Sequence, residues 1–387
     1  MSFEKSQRIK RLPPYLFVEL DRKKAQIQAK GVDVIDLGIG DPDLPTPEFV
    51  VDAMVDAVRD PKNHRYPSSQ GSLAFRKAAS DFCRKRFGLE LDPETQVCAC
   101  IGSKEAIAHF PIAFVEPEDI VLVPSPGYPV YHIGTLFCGG ISYFMPLEDK
   151  NSFLPDLHSI PGDVAEKAKI IWLNYPNNPT SACVTEEFFG QVVDFAKANN
   201  IIVCHDAAYS EMCFDGYRAP SFLQTPGALD CGIEFHSLSK TYNMTGWRIG
   251  FAIGNPQLVA ALKQVKSNVD SGQFQAVENA GVAALESDQS FVRKMQEIYT
   301  RRRDVLIEGL LSLGLNAQRP KATFYVWIKV PEGYSSASFC TLLLEKAGIV
   351  STPGNGFGEP GEGYIRMALT VSQERLSEAV DRLRGIL

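Results

Sequence analysis

The sequence predicts an α/β fold, on two observations. Short, almost continuously apolar runs rich in β-branched residues alternate with amphipathic stretches of helical period through most of the chain. The runs lack polar alternation, which is the pattern of strands buried on both faces of a parallel sheet.

The strands expected in order are DIVLVP from Asp119, KIIWLNYP from Lys169, IIVCHD from Ile201, IEFHSLS from Ile233 and RIGFAIG from Arg248. Glu186 to Ala198 reads as a helix, with Thr185 as its N-cap and Glu186 and Glu187 in the first turn, where the helix dipole favours negative charge. After about residue 285 the pattern changes to a long charged helix around Phe291 to Leu313, the strand TFYVWIKV, a helix near Ser336 to Ala347, and a final strand and helix. We read 286–387 as a smaller C-terminal domain, 46–285 as the large domain and 1–45 as an N-terminal segment packing on the smaller one.

The 387 residues are 45% hydrophobic and 22% charged, which excludes disorder and collagen-like structure. Thirty-nine basic against 46 acidic residues leave a net charge of −7 with no long run of one sign, so no nucleic-acid or membrane partner is expected. Any anion must be caught by a local site. The nine cysteines include no C-x-x-C pair and read as thiols of a reducing compartment; no metal site is expected. MSFEKSQRIKRLPPYLF lacks the apolar core of a signal peptide and no apolar run approaches 18 residues, so the expected location is the cytoplasm.

Ligands of open α/β sheets sit beyond the carboxyl ends of the strands. Here those positions hold Asn174-Tyr175-Pro176-Asn177-Asn178-Pro179, then Asp206-Ala207-Ala208-Tyr209, then Ser239-Lys240. Lys240 follows a buried-strand pattern, with Ser239 and Ser237 one and three residues before it and Arg248 eight after it. Two hydroxyls and a guanidinium can hold a phosphate dianion while the amine condenses with an aldehyde.

This S-x-S-K motif with its arginine resembles that of the class I/II aminotransferases, pyridoxal-phosphate enzymes of fold type I. GIGDPDLPTP, RYPSSQG, GSKEAI, PSPGYPVY, NYPNNPT, DAAY and GEGYIRMAL follow in that family's order, over essentially the whole chain. The resemblance implies a mostly parallel seven-stranded sheet between helices in the large domain, a smaller α+β domain, and pyridoxal 5'-phosphate as cofactor.

It also implies roles. Lys240 would condense with the cofactor aldehyde and then move the substrate proton. Asp206 would pair with the pyridine nitrogen, and Tyr209 and Asn178 would bond the ring oxygen. Gly102, Ser103 and Lys104 at a helix start, with Ser237, Ser239 and Arg248, would hold the phosphate. Tyr128 would stack on the ring, and Tyr66 would reach the neighbouring phosphate in a homodimer. Arg366 would grip the substrate α-carboxylate, with Gly40 allowing close backbone approach; Tyr128 and Asn178 would also touch substrate. The glycine-rich loop Gly354 to Gly363 would border the site as a mobile segment.

Within the family, the opening from PPYLF to PDLPTP and the lysine after the phosphate serine resemble the LL-diaminopimelate aminotransferases. That implies transfer from LL-diaminopimelate to 2-oxoglutarate, with Tyr15 and Lys104 touching substrate. An alanine or aspartate aminotransferase of broader specificity, a carbon–sulfur β-lyase, and a descendant without activity stay open. Ser181 departs from the family's usual glycine, and a positive φ there would strain it.

Overall fold

The computed structural model describes residues 1, 3–12 and 16–387, with side chains described up to 12 and again from 22 onward. Its strands are β1 (Ile35–Asp36), β2 (Val97–Cys100), β3 (Ile120–Ser125), β4 (Ile141–Pro146), β5 (Ala168–Asn174), β6 (Ile202–Asp206), β7 (Gly232–Ser237), β8 (Gly250–Gly254), β9 (Asn316–Ala317), β10 (Tyr325–Lys329), β11 (Ile349–Val350), β12 (Thr352–Pro353) and β13 (Tyr364–Ala368). A seven-stranded sheet has the order β2-β8-β7-β6-β5-β3-β4, parallel except for β8, which runs against both its neighbours.

Period-two alternation sorts the side chains of this sheet into two core layers. Leu122, Ile171, Leu173, Val203, Phe251 and Ile253 enter one layer, against the helices Leu73–Phe87, Glu186–Asn199 and Gln275–Glu286. Val121, Val123, Ile170, Trp172, Cys204 and Phe235 enter the other, against Val130–Cys138 and Pro256–Val269. Both faces are covered, which is why the runs carry no polar alternation. The Thr185 hydroxyl accepts from the Phe188 N–H at 3.5 Å, as the cap reading requires.

A second sheet, β12-β13-β10-β9, is antiparallel and packs with the helices Ser290–Ser312, Ser336–Ala347 and Gln373–Arg384 around a separate core. The N-terminal strand β1 pairs in parallel with β11, so Ile35 and Leu37 join that core. The strands expected from sequence are all present; the two-residue β1, β9, β11 and β12 were not foreseen, and neither were β2 and β4 of the seven-stranded sheet. Both are edges of the sheet; β2 has four residues, and β4 leaves Ile141 and Phe144 exposed.

All nine cysteines are free thiols, six of them buried. Among the described residues no helix is long and apolar enough to cross a membrane.

Candidate active site

The register of the parallel strands sets Asn174 at the end of β5 beside Asp206 at the end of β6, and β7 ends nearby at Ser237. Beyond these ends opens a cavity of about 440 Å³. Its walls include Gly40, Asp41, Ser103, Lys104, Tyr128, Asn178, Asp206, Tyr209, Ser237, Ser239, Lys240, Arg248, Tyr325, Phe357 and Arg366.

Lys240 lies in the single helical turn Leu238–Thr241 that follows β7, with the Ser237 hydroxyl accepting from the Ser239 N–H at 3.2 Å. Its Nζ donates to the Gly40 carbonyl at 2.9 Å and stands 5.6 Å from the centre of the Phe324 ring. Burial lowers its pKa to about 8; the Asp41 carboxylate opposes that shift, and Arg248 and Arg366 add to it. About a tenth of the amine is therefore neutral at pH 7, far more than for an ordinary lysine, as a nucleophile or a base requires.

Asp206 is buried, and burial pushes its carboxyl pKa up. Its Oδ2 accepts from the Tyr131 hydroxyl at 2.8 Å, and its Oδ1 from the Ala208 N–H at 3.3 Å. The Asn174 amide donates to the Asp206 carbonyl at 2.8 Å and accepts from the Asn178 N–H at 2.8 Å, which joins the two strand-end loops. The hydroxyls of Tyr209 and Tyr325 lie 3.1 Å apart, and burial pushes the Tyr209 phenol up.

Arg366 on β13 is 1% exposed. It donates from Nη1 to Asn178 Oδ1 at 2.7 Å and from Nη2 to the Gly38 carbonyl at 2.8 Å, while its Nε has no hydrogen-bond partner among the described residues. The guanidinium lies between the rings of Tyr325 at 4.1 Å and Phe357 at 4.7 Å. A Cβ on Gly40 would overlap the Tyr325 ring, so this position has room for glycine alone. At the opposite end of the cavity, Gly102 has φ +69° and a Cβ there would meet the Arg248 guanidinium. Arg248 itself is at φ +56°, with Nη1 donating to the Thr245 carbonyl at 2.8 Å. Tyr128 packs edge-on against Tyr131, with ring centres 6.0 Å apart.

Most of the residues singled out from sequence thus share one cavity. Gly102 adjoins it through Arg248. Tyr66 does not line it and is 91% exposed. Tyr15 lies outside the described residues. Ser181 does have φ +62°, and its hydroxyl bonds Thr323 Oγ1 and the Tyr325 carbonyl, both at 2.8 Å, which ties the strained turn to the second sheet.

Asp41, Tyr131, Tyr325 and Phe357 were not foreseen as site residues. Tyr131 belongs to PSPGYPVY and Tyr325 to the strand TFYVWIKV, but nothing in either run marks Tyr131 as the partner of Asp206 or Tyr325 as a cavity wall. The loop that carries Phe357 forms two tight turns, Gly354–Phe357 and Glu359–Gly361, at the cavity border.

The model of the family described as "Aminotransferase class I and II" matches residues 32–383. The chain belongs to that family.

Among curated proteins, this aminotransferase is 59% identical over 386 residues to the LL-diaminopimelate aminotransferase of Syntrophobacter fumaroxidans, covering 100% of both chains. It is 59% identical over 384 residues to the protein of that name from Aquifex aeolicus, covering 99% of each. Among solved structures it superposes on substrate-bound BacF from Bacillus subtilis with TM-score 0.96 at 36% identity, covering 100% of this chain and 98% of the other. A mutant aspartate aminotransferase of Thermus thermophilus gives TM-score 0.93 at 29% identity with both chains fully covered.

The family's cofactor is pyridoxal 5'-phosphate, and the cavity fits it on three counts. A half-buried lysine with a partly neutral amine lines the cavity. Asp206 is a buried carboxylate that has no ion-pair partner among the described residues, so a protonated ring nitrogen would complete it. The hydroxyls of Ser103, Ser237 and Ser239 line the same cavity as the Arg248 guanidinium, the donor set a phosphate needs.

Proposed function

We propose that this aminotransferase moves an amino group from LL-2,6-diaminopimelate to 2-oxoglutarate, giving glutamate and a keto acid that cyclises with loss of water to tetrahydrodipicolinate, a step of lysine biosynthesis. The observation that carries the chemistry is the meeting of Lys240, Asp206 and Arg366 in one cavity. Whole-chain likeness to relatives named for this reaction supports the substrate.

When bound, pyridoxal phosphate supplies an aldehyde that captures amines and a ring that withdraws the electron pair left when the substrate α-proton departs. Lys240 would hold the cofactor aldehyde through Nζ and, as a free amine, accept and return the substrate proton. Asp206 keeps the ring nitrogen protonated, with Tyr131 holding its carboxylate by a hydrogen bond. Tyr209 and Asn178 would bond the ring oxygen, and Tyr128 would pack against the ring. Gly102, Ser103, Lys104, Ser237, Ser239 and Arg248 hold the phosphate. Arg366 receives the α-carboxylate in its planar fork beside Gly40, and Lys104 and Tyr15 meet the distal head of the substrate.

The test mixes the loaded protein with single amino acids and follows loss of the visible absorbance of the lysine-bound cofactor. LL-diaminopimelate should bleach it rapidly, with little change for the meso isomer, alanine or aspartate. Bleaching by alanine or aspartate alone would keep the mechanism and overturn the substrate. Pyruvate and ammonia from cystathionine without an acceptor would indicate a lyase.

We further read the active form as a homodimer in the cytoplasm, with 46–285 as the large domain, 286–387 as the small one and 1–45 packing on the latter. The separate core around β10 and β13 and the β1–β11 pairing support that division. The exposed Tyr66, with Phe49, Val51, Val55 and Val58 on one helix, supports a covered face. Nine free thiols suit a reducing compartment. If Tyr66 of one subunit completes the site of the other, mixing inactive K240A and weakened Y66F chains should restore activity. No restoration in exchanged dimers would overturn the shared site.

A further inference from the structure

One side chain that the reaction above does not use touches both ends of the candidate site. Tyr325 opens β10, and the antiparallel register sets it opposite Ala368, two residues beyond Arg366 on β13. It is 3% exposed, with its hydroxyl over Gly40 at a place where a Cβ would strike it. Its ring takes the Arg366 guanidinium at 4.1 Å, and its hydroxyl meets that of Tyr209 at 3.1 Å. Among the described residues neither hydroxyl has another hydrogen-bond partner.

A closed ring of hydrogen bonds holds Tyr325 there, and the direction of each is determined. Its N–H donates to Thr323 Oγ1 at 3.0 Å, and its carbonyl, which can only accept, takes the Ser181 hydroxyl proton at 2.8 Å. Ser181 Oγ and Thr323 Oγ1 lie 2.8 Å apart, so with the serine proton already spent it is Thr323 that donates. Ser181 at φ +62° and Thr323 at φ +67° both sit in the left-handed region that residues other than glycine seldom adopt. Tyr209 is fixed as firmly: the rings of Phe324 and Tyr325 each meet it edge to face, with centres 5.6 Å away. The two hydroxyls are therefore brought together by backbone and ring packing on both sides.

We propose that Tyr325 is a positioning residue of the reaction, whose hydroxyl donates to Tyr209 and so aims the Tyr209 proton at the ring oxygen of the cofactor. The inference rests on the cofactor reading given above. A phenol has one proton to give. When Tyr209 gives its proton to the cofactor, the 3.1 Å link between the hydroxyls must carry the proton of Tyr325. A hydroxyl that accepts one hydrogen bond also donates more strongly, because chains of such bonds polarise one another. Since the same ring stacks on Arg366, one side chain orients the group expected at the substrate carboxylate and the group expected at the cofactor oxygen.

The test titrates the visible absorbance of the lysine-bound cofactor with pH in wild type, Y325F, Y209F and the double variant. A donor on the ring oxygen draws negative charge away from the nitrogen that joins Lys240 to the cofactor, so it lowers the pH at which that nitrogen loses its proton. Y325F removes one oxygen and keeps the ring, and it should raise the midpoint of the colour change by about half a pH unit. Y209F should raise it further, and adding Y325F to Y209F should then change nothing, because the hydroxyl through which Tyr325 acts is gone. The KM for the amino donor should stay at its wild-type value in Y325F, since the ring on Arg366 is retained. An unmoved midpoint in Y325F, or an equal further rise in the Y209F background, would overturn the proposal. Failure of the cofactor reading would appear separately, as no visible absorbance when pyridoxal phosphate is added to wild-type protein.

Discussion

The guanidinium carbon of Arg366 stands 4.1 Å from the centre of the Tyr325 ring, and the same ring fills the space beside Gly40. Ring and backbone thus fix the fork in one orientation. Arg366→Lys keeps a charge but loses the fork and the flat face that stacks on the ring. It should raise the KM for the amino donor by roughly 100-fold, about 3 kcal/mol, with a smaller change in kcat. Steady-state kinetics with the amino donor varied checks this, and an unchanged KM would remove Arg366 from carboxylate binding.

Lys240→Ala deletes the less exposed of the two lysines lining the cavity, Lys104 being the other. Turnover should fall by roughly 10⁴-fold, the upper range for a group that transfers protons, while the circular dichroism spectrum is retained. Methylamine added to the variant should restore part of the rate by supplying a free amine.

Asp41 raises the Lys240 pKa against the larger effect of burial. Asp41→Asn should therefore lower it, so the neutral amine persists to more acidic pH. The measurement is the rate at which cofactor-free protein captures pyridoxal phosphate as a function of pH. Its acidic limb, expected near pH 8 in the wild type, should move to lower pH in the variant. A shift to higher pH would contradict the placement of Asp41.

The sequence was most legible where chemistry sits at strand ends. The apolar runs ending at Asn174, Asp206 and Ser237 announce β5, β6 and β7, and the residues that follow them are those that line the cavity. Edges are less legible: β4 is half exposed and β2 short, so neither carries a core signature. Contacts between distant segments leave no local trace. Tyr325 reads as one more aromatic in a buried strand, and only folding brings it over Gly40 and under Arg366. Glu234 is an equal case, because a charged residue within IEFHSLS gives no sign that His205, 29 positions earlier, lies opposite it.

Gly40→Ala tests the same packing from the other side. The added Cβ would overlap Tyr325, which must leave its bond to Tyr209 and its stacking on Arg366. Overpacking of this kind costs about 1–3 kcal/mol. A lower denaturation midpoint together with a raised donor KM is expected. A stable variant with wild-type KM would show that Tyr325 moves freely and does not set the site.

Lys266 is almost fully buried and is held by Glu105 at 3.0 Å and Asp270 at 3.1 Å, away from the cavity. Glu105 also accepts from His109 Nδ1 at 3.0 Å and the Ile101 N–H at 3.1 Å. Burial raises the Glu105 pKa, but the hydrogen bonds from His109 and Lys266 bring it below the usual carboxylate value. A depressed folded-state pKa gives stability that is present above the unfolded value and lost as pH falls through the folded one. Glu105→Gln removes one anion from a buried ammonium that keeps Asp270, so the cost should be about 2 kcal/mol at pH 7, less than for a pair broken outright. As pH falls through the depressed folded value the wild-type carboxylate is itself protonated, and the gap between the two proteins should close. Urea unfolding along a descending pH series from 7 measures the difference, and a difference that grows on acidification would reverse the assigned direction of the shift.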